Sequence, residues 1–290
     1  MKRILITGIN SYVGNSFAEW VSDSPESYSV TKISLRDGTW KEQDFSEFDV
    51  VLHVAGKAHR KETKKNADLY YKVNRDLTFE IAKKAKAEGV KQFIFLSTMS
   101  VYGMNKGTIH KYTPVNPKSN YGKSKLEAEK FLGTLNNDDF RVVTLRPPII
   151  YGKGCKGNYQ ILAKFSLKLP FFPDVHNRRS MIYIDNLSEF IRKLIDKHSE
   201  GLYFPQNKEF VCTSTMVKTI AQIHGQRIRL SKSLNIPIKL FRFGLVDKVF
   251  SDLIYEKTLT DDIIPDFNLI NFEQSIKMTE DEDEKNSNTL

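Results

Sequence analysis

Ile4, Leu5, Ile6 and Thr7 run directly into Gly8, and Gly14 follows six residues later, in the opening MKRILITGINSYVG. No other stretch narrows the fold so far. An apolar run of strand length, a glycine turn and an amphipathic segment make the pattern of a parallel strand handing over to a helix. Gly8 suits the tight turn and Gly14 suits close helix–sheet packing. Backbone N–H groups at the helix start can then approach a pyrophosphate. Ser11 stands where a third glycine would allow the closest approach. Its side chain is small, and its hydroxyl can donate to a phosphate oxygen. A strand–helix turn without a ligand would carry the same glycines.

The alternation continues along the chain. Strands are expected at Ile4–Thr7, Val30–Leu35, Val50–Val54, Phe93–Ser97 and Val142–Leu145. Helices are expected near Val13–Ser22, Ala67–Glu88 and Tyr121–Leu135. In the second of these Val73, Leu77, Ile81 and Ala85 recur at helical spacing, and Gly89 ends it. Strand–helix alternation of this kind implies an α/β fold, a doubly wound parallel sheet. After Arg146 the pattern changes, punctuated by Pro147, Pro148, Gly152 and Gly154. Residues 1–150 are read as a dinucleotide-binding domain. Residues 151–278 are read as mostly a smaller lobe, with some segments returning to the sheet. There EFVCTSTMVKTIAQIHG reads as a strand and then a helix, capped by Thr213 or Ser214 and ended by Gly225. The acidic, polar residues 279–290 read as a disordered tail.

Composition excludes several classes. The 290 residues suffice for a large core. No apolar run approaches the roughly 18 residues of a membrane span, and a first strand beginning at Lys2 or Arg3 leaves no room for a signal peptide. Cys155 and Cys212 give neither a disulfide framework nor metal-ligand spacing, and both are read as reduced in a cytoplasmic protein. The six histidines show no metal spacing, and His53, inside a strand pattern, reads as a satisfied core residue. The net charge of +9 suits an anionic ligand such as a nucleotide diphosphate, although most of it reads as a solvated lysine-rich surface. No basic cluster interleaved with aromatics points to nucleic acid. Residues 234–255, apolar with interspersed cations, read as lobe core or homodimer surface in preference to peripheral membrane contact.

Two further patterns carry chemistry. In NYGKSKLEAEKF, Tyr121 and Lys125 are four residues apart at a helix start and project from one face. A tyrosine alone is a poor base at neutral pH, whereas a nearby ammonium lowers its pKa and lets it exchange a proton as a hydride moves. Ligand groups gather at the carboxyl ends of parallel strands. Ser97 and Thr98 lie at one such end, and Val54, Ala55 and Gly56 at another. At the end of the second strand, where an acid would bind a ribose 2′-hydroxyl, stand Ser34 and Arg36, with Asp37 just beyond. That arrangement inclines toward NADP(H) over NAD(H). A solvated loop arginine fits Arg36 equally well.

In order, TGINSYVG, VLHVAGKA, YYKVN, FIFLSTMSVYG, YGKSK, LRPPIIYG and RRSMIYIDNL resemble the extended short-chain dehydrogenase/reductases. They look like the nucleotide-sugar branch that includes UDP-glucose 4-epimerase, a likeness that covers residues 1–200 well and the rest loosely. The resemblance implies a Rossmann-like sheet with a smaller C-terminal substrate-binding lobe. It implies Thr98, Tyr121 and Lys125 as the catalytic set. Gly8, Ser11, Tyr12, Val13 and Gly14 would surround the pyrophosphate, and Asn74 would support the cofactor side of the pocket. Arg179 matches an arginine that grips the substrate diphosphate, with the adjacent Arg178 as a rival for the inward position; Asn158 matches a substrate contact. Three departures stand out. Ser11 replaces glycine, Ile149 stands where many relatives have asparagine, and the second-strand acid is missing. The link from the second strand to DFSEFDVVLH is also short, so a strand or helix of the sheet is expected to be lost.

Three chemistries share such a scaffold. A 4,6-dehydratase resembles its relatives in placing Asp and Glu just after the catalytic threonine, where this chain has Met99 and Ser100. Neither can do acid–base work near neutrality. Reduction of a UDP-4-keto-6-deoxy-N-acetylhexosamine, as in the capsule and O-antigen reductases that make UDP-N-acetylfucosamine or UDP-N-acetylquinovosamine, is the reading the resemblance favours. A UDP-hexose 4-epimerase with tightly held NAD is the alternative. A non-catalytic NADP-binding sensor is a third, of another class.

Overall fold

The computed structural model describes residues 1–58, 62–236, 245–259 and 264–281. Its strands are β1 (Lys2–Thr7), β2 (Tyr28–Ile33), β3 (Val50–His53), β4 (Gln92–Leu96), β5 (Gly107–Ile109), β6 (Arg141–Leu145), β7 (Ile149–Tyr151), β8 (Phe171–Pro173), β9 (Met181–Tyr183), β10 (Gly201–Tyr203), β11 (Arg229–Ser231) and β12 (Leu253–Tyr255). Its α-helices are α1 (Tyr12–Val21), α2 (Ala67–Tyr71), α3 (Leu77–Ala87), α4 (Asn120–Leu135), α5 (Asn158–Lys168), α6 (Ile184–Asp196), α7 (Thr213–Ile223), α8 (Leu245–Phe250) and α9 (Phe272–Glu280). Six strands form one parallel sheet in the order β10-β6-β4-β3-β1-β2. The others pair two by two, β7 with β9, β8 with β11 and β5 with β12. This is the doubly wound parallel sheet that the alternation implies. No described helix is long and apolar enough to cross a membrane.

Side chains alternate across a strand, so one strand feeds two cores. Ile4 and Ile6 of β1 enter the core under α1 and α6, where Phe17, Val21, Leu187 and Ile191 meet them. Leu5 enters the opposite core, closed by Ile81 and Ala85 of α3 and Ala128 and Leu132 of α4. Between β2 and β3 the chain makes one 3-10 turn, Thr39–Lys41, and no strand or α-helix. Trp40, Phe45 and Phe48 fill the space on the α3 side. The expected loss in this link is thus observed, and it leaves β2 at the sheet edge.

The spacing that predicts one helix over 67–88 is interrupted. Lys72–Asp76 is wound as a π-helix, with the N–H of Leu77 donating to the carbonyl of Lys72. Such single-turn insertions re-aim the residues they carry, and Asn74 at the centre is fully buried. The expected capping of α7 is corrected as well. Its N-cap is Cys212, without a side-chain cap bond. The Thr213 and Ser214 hydroxyls are taken by the carbonyls of Val249 and Pro173, at 2.7 and 2.8 Å. The run before it forms no strand, only an antiparallel bridge of Val211 to Arg179. Of residues 234–255, 237–244 lie outside the described residues, as do His59 and residues 282–290 of the tail. The end of the stretch, β12, is buried and pairs with β5.

His53 closes β3 with no exposed surface. Its Nδ1 lies 2.7 Å from Thr7 Oγ1 and its Nε2 lies 2.9 Å from Thr78 Oγ1. Thr78 spends its own proton on the carbonyl of Asn74, at 2.9 Å. The ring is therefore neutral, with Nε2–H donating to Thr78 and Nδ1 accepting from Thr7. Burial holds its pKa down to about 3, helped by the charge of Lys125. The reading of His53 as a satisfied core residue agrees with this geometry.

Two outcomes follow from these contacts. A Cβ on Gly14 would stand 2.8 Å from Ile6 Cγ2 and 3.0 Å from Val54 Cγ2. Gly14→Ala is therefore expected to destabilise the chain by about 1–3 kcal/mol in denaturant melts. His53 binds a proton more readily unfolded than folded. Its contribution to stability is complete above its unfolded pKa of 6.5 and is lost as pH falls toward about 3. Melting temperature should drop through that window, and the drop should be smaller in His53→Gln.

Candidate active site

Gly8 adopts φ 96°, a left-handed conformation that glycine tolerates without strain. Its N–H and that of Ile9 both bond the carbonyl of Ile33 at the end of β2, at 2.9 and 3.2 Å. Ser11 takes a part beyond its expected one: it is the N-cap of α1, its Oγ accepting from the N–H of Gly14 at 3.3 Å. The residue replacing the middle glycine thus starts the helix whose free N–H groups and dipole favour an anion. Tyr12 and Val13 form the first turn of α1, with Val13 buried and Tyr12 partly so.

The glycine turn abuts the exit of β3. A Cβ on Gly8 would come to 3.1 Å from Ala55 Cα, and one on Gly56 to 3.3 Å from both Asn74 Oδ1 and Lys125 Nζ. Gly8, Val54, Ala55, Gly56, Asn74 and Lys125 are thereby brought into one continuous wall. Asn74 clamps the backbone of Lys57 from both sides, accepting from its N–H at 2.7 Å and donating to its carbonyl at 3.2 Å. It also donates to Ser124 Oγ of α4, at 3.1 Å.

Helix α4 presents Tyr121 and Lys125 from its first turns. Ser119 is its N-cap, accepting from the N–H of Gly122 at 3.0 Å. The Glu62 carboxylate accepts from the N–H groups of Asn120 and Tyr121, at 2.9 and 3.0 Å. Tyr121 is half-buried, and its hydroxyl meets Thr98. Burial raises its pKa, the Thr98 hydrogen bond opposes this, and Tyr70 adds to the rise. The expected depression of Tyr121 by Lys125 is not what the geometry produces. Lys125 turns its Nζ to the carbonyl of Leu96 at 2.8 Å and lies 4.6 Å from the Phe95 ring centroid. Burial lowers its pKa to about 7, with Glu129 pulling the other way. Thr98 N-caps the turn Met99–Tyr102, accepting from the N–H of Ser100 at 3.1 Å.

Glu129, one turn beyond Lys125, pairs with Arg146 at the exit of β6, at 2.6 Å from Nη2 to Oε2. Ser97 donates to the same carboxylate, and Arg146 donates to the Tyr102 hydroxyl at 2.8 Å. Glu62 and the Glu129–Arg146 pair escaped the sequence reading. Glu129 was in principle readable from its spacing to Lys125 on one helix face. Glu62 gives no local signal, because its partners lie 58 and 59 residues away.

The lobe residues form a second group. Arg179 and Asn158 line one cleft together with Ile149, Thr213 and Lys248. Of the two adjacent arginines, Arg178 is exposed and paired with Asp252 at 3.3 Å. Arg179 is the inward one, 8% exposed, with Nη1 donating to the carbonyl of Ser251 at 3.0 Å. Its buried Nε has no partner, and burial lowers its pKa to about 10, so it stays charged at neutral pH. Arg36 stands apart, exposed just past β2, its N–H bonded to Ser34 Oγ at 3.3 Å. Asp37 turns its carboxylate onto Thr39, 2.7 Å from the hydroxyl. That hydrogen bond lowers its pKa.

A glycine turn against a helix N-terminus and a helix presenting a half-buried tyrosine and a buried lysine suit a dinucleotide and a proton transfer. Comparisons with known proteins agree. A profile of the NAD dependent epimerase/dehydratase family matches residues 4–204. The chain is 32% identical over 290 aligned residues to a UDP-glucose 4-epimerase of Vibrio cholerae, covering 89% of this chain and 86% of that one. It is 28% identical to the N-acetyl-alpha-D-glucosaminyl-diphospho-ditrans,octacis-undecaprenol 4-epimerase of Escherichia coli O157:H7, covering 83% and 77%. Among solved structures, the fold matches UDP-glucuronic acid 4-epimerase from Bacillus cereus in complex with NAD, with TM-score 0.73, 18% identity and 96% and 97% coverage. It also matches dTDP-4-dehydrorhamnose reductase from Bacillus anthracis in complex with NADP, with TM-score 0.71, 21% identity and 96% and 99% coverage. The chain therefore belongs to the NAD dependent epimerase/dehydratase family, whose members are NAD(P)-linked enzymes.

Proposed function

We propose that this protein reduces the 4-keto group of a nucleotide-diphosphate sugar, of the UDP-4-keto-6-deoxy-N-acetylhexosamine type, with NADP(H) as cofactor. The observation that carries the cofactor choice is the end of β2. The Asp37 carboxylate there is turned onto Thr39 through Oδ1, while Arg36 is exposed and available to a 2′-phosphate. Residues 1–150 hold the cofactor in this reading. Gly8, Ser11, Tyr12, Val13 and Gly14 surround the pyrophosphate, and Val54, Ala55, Gly56 and Asn74 wall the ribose side. Residues 151–278 hold mostly the sugar nucleotide, with Arg179 and Asn158 at its diphosphate end.

A bound nicotinamide supplies the hydride; the chain supplies the proton and the positions. The Thr98 hydroxyl holds the sugar oxygen, and Tyr121, kept protonated by burial, gives that oxygen its proton. Lys125 is anchored on the Leu96 carbonyl, which fixes the ammonium beside Gly56 where the cofactor ribose would pass. Arg179, buried and charged with Nε unspent, suits a diphosphate that takes over that donor. Met99 and Ser100 follow Thr98 without an acid–base group, which supports a chemistry without dehydration.

A second reading, 4-epimerisation with retained NAD, is favoured by one observation. The two relatives reported above that align over most of this chain are both named 4-epimerases.

The deciding experiment is to denature the purified protein, identify released nucleotide, and assay NADPH oxidation with a UDP-4-ketosugar. An empty protein that turns over with NADPH supports reduction. Tightly held NAD without net NADPH consumption supports epimerisation. Tyr121→Phe is expected to lower kcat by about 10²–10⁴-fold with folding intact. Arg179→Met is expected to act mainly on KM for the sugar nucleotide, with a smaller change in kcat.

A further inference from the structure

We propose that the outer face of α5, continued through β8 and β11, seats this protein on an anionic lipid surface. The reading stands whether the reaction is reduction or epimerisation. The inner face of α5 is settled: Tyr159, Leu162 and Ser166 are buried. On its other side Ile161, Lys164, Phe165 and Lys168 recur at i, i+3, i+4 and i+7 and so form one stripe. Ile161 is 52% exposed and Phe165 44%. Leu169 and Phe171 carry the apolar surface past the helix, and Phe171 stands in register with exposed Arg229 of β11. Lys232 and Ile236, both exposed, extend it.

Charge identifies the occupant. The sequence has no Asp or Glu from Phe140 to Pro173 and none from Phe210 to Val246. All of α5, β8 and β11 comes from these two stretches. Among the described residues, Lys164, Lys168, Arg229 and Lys232 have no ion pair, and Asp174, just past β8, faces His176 at 3.8 Å. A second copy related by a twofold axis would set these cations against themselves. Anionic headgroups complement them, at roughly fivefold in binding per cation near such a surface. The phenylalanine, leucine and isoleucine side chains, interleaved with lysines whose stems can lie along apolar surface, match the acyl–headgroup boundary. The inner face of α5 carries Leu162 toward the cleft of Arg179. Docking would hold that cleft one helix diameter, about 10 Å, from the headgroups.

The test is flotation of the full chain with vesicles of phosphatidylcholine alone and of phosphatidylcholine with phosphatidylglycerol. Binding is expected only to the anionic vesicles. Ile161→Gln/Phe165→Gln and Lys164→Ala/Lys168→Ala should each weaken it at least tenfold with an unchanged melting temperature. Lys106→Ala/Lys130→Ala, away from this face, should leave it intact. Should the first pair melt early, Phe165→Gln alone makes the same comparison. Absence of binding to anionic vesicles overturns the proposal. So does an equal loss in the Lys106/Lys130 variant, which would reduce the effect to net charge. Light scattering that shows the apolar variant dissociating a dimer, without vesicle binding, assigns the face to a second copy and overturns it too.

Discussion

The Arg146–Glu129 pair is the tie on which the geometry of the candidate site rests. It joins the exit of β6 to α4, and through Ser97 and Tyr102 it also holds the exit of β4. Tyr121, Lys125 and Thr98 are all carried by the elements it fastens. Two charges out of water attract strongly, yet each costs several kcal/mol to desolvate, so such a pair stabilises only when its remaining hydrogen bonds are made. Here they are made: the carboxylate takes the guanidinium and the Ser97 hydroxyl, and the guanidinium takes the Tyr102 oxygen. Glu62 adds a tie at the other end of the functional stretch by filling the N-terminal N–H groups of α4. The helix bearing Tyr121 and Lys125 is thus fixed at its start and along its flank.

The glycines work by absence. A side chain at Gly8 would press on Ala55, one at Gly14 on Ile6 and Val54, and one at Gly56 on Asn74 and Lys125. The π-turn works by insertion, bringing Asn74 fully inside, where one side chain clamps Lys57 and contacts Ser124. Both devices act on backbone separation, and both sit where strand ends converge.

That division explains what could be read in advance. Periodicity reports which face of an element is buried, so β1, β3, β4, β6 and the helices from Tyr12 and Asn120 were legible to within a residue or two. The placement of Tyr121 and Lys125 on one helix and the shortened β2–β3 link were equally local. Glu62 was not, since a loop acid that meets a helix 58 residues on leaves no periodic trace. The π-turn was hidden because Val73, Leu77, Ile81 and Ala85 satisfy ordinary helical spacing. The direction of the Tyr121 pKa was missed because spacing fixes a shared face but not where an ammonium points. Lys125 bends to Leu96, and burial then dominates the phenol. The choice between Arg178 and Arg179 likewise needed the bridge from Arg179 to Val211 to decide which side chain turns inward.

The short β2–β3 link has a structural cost elsewhere. With no strand pairing outside β2 among the described residues, one rim of the sheet presents unpaired amides and carbonyls to water. Such a rim is a template for a stray extended segment. Lys32 stands on it, exposed, with its ammonium reaching Asn15 at 3.1 Å. A neighbouring chain that tried to zip onto β2 would have to strip water from that charge. One lysine thereby guards against sticky self-association in a protein that has trimmed its sheet.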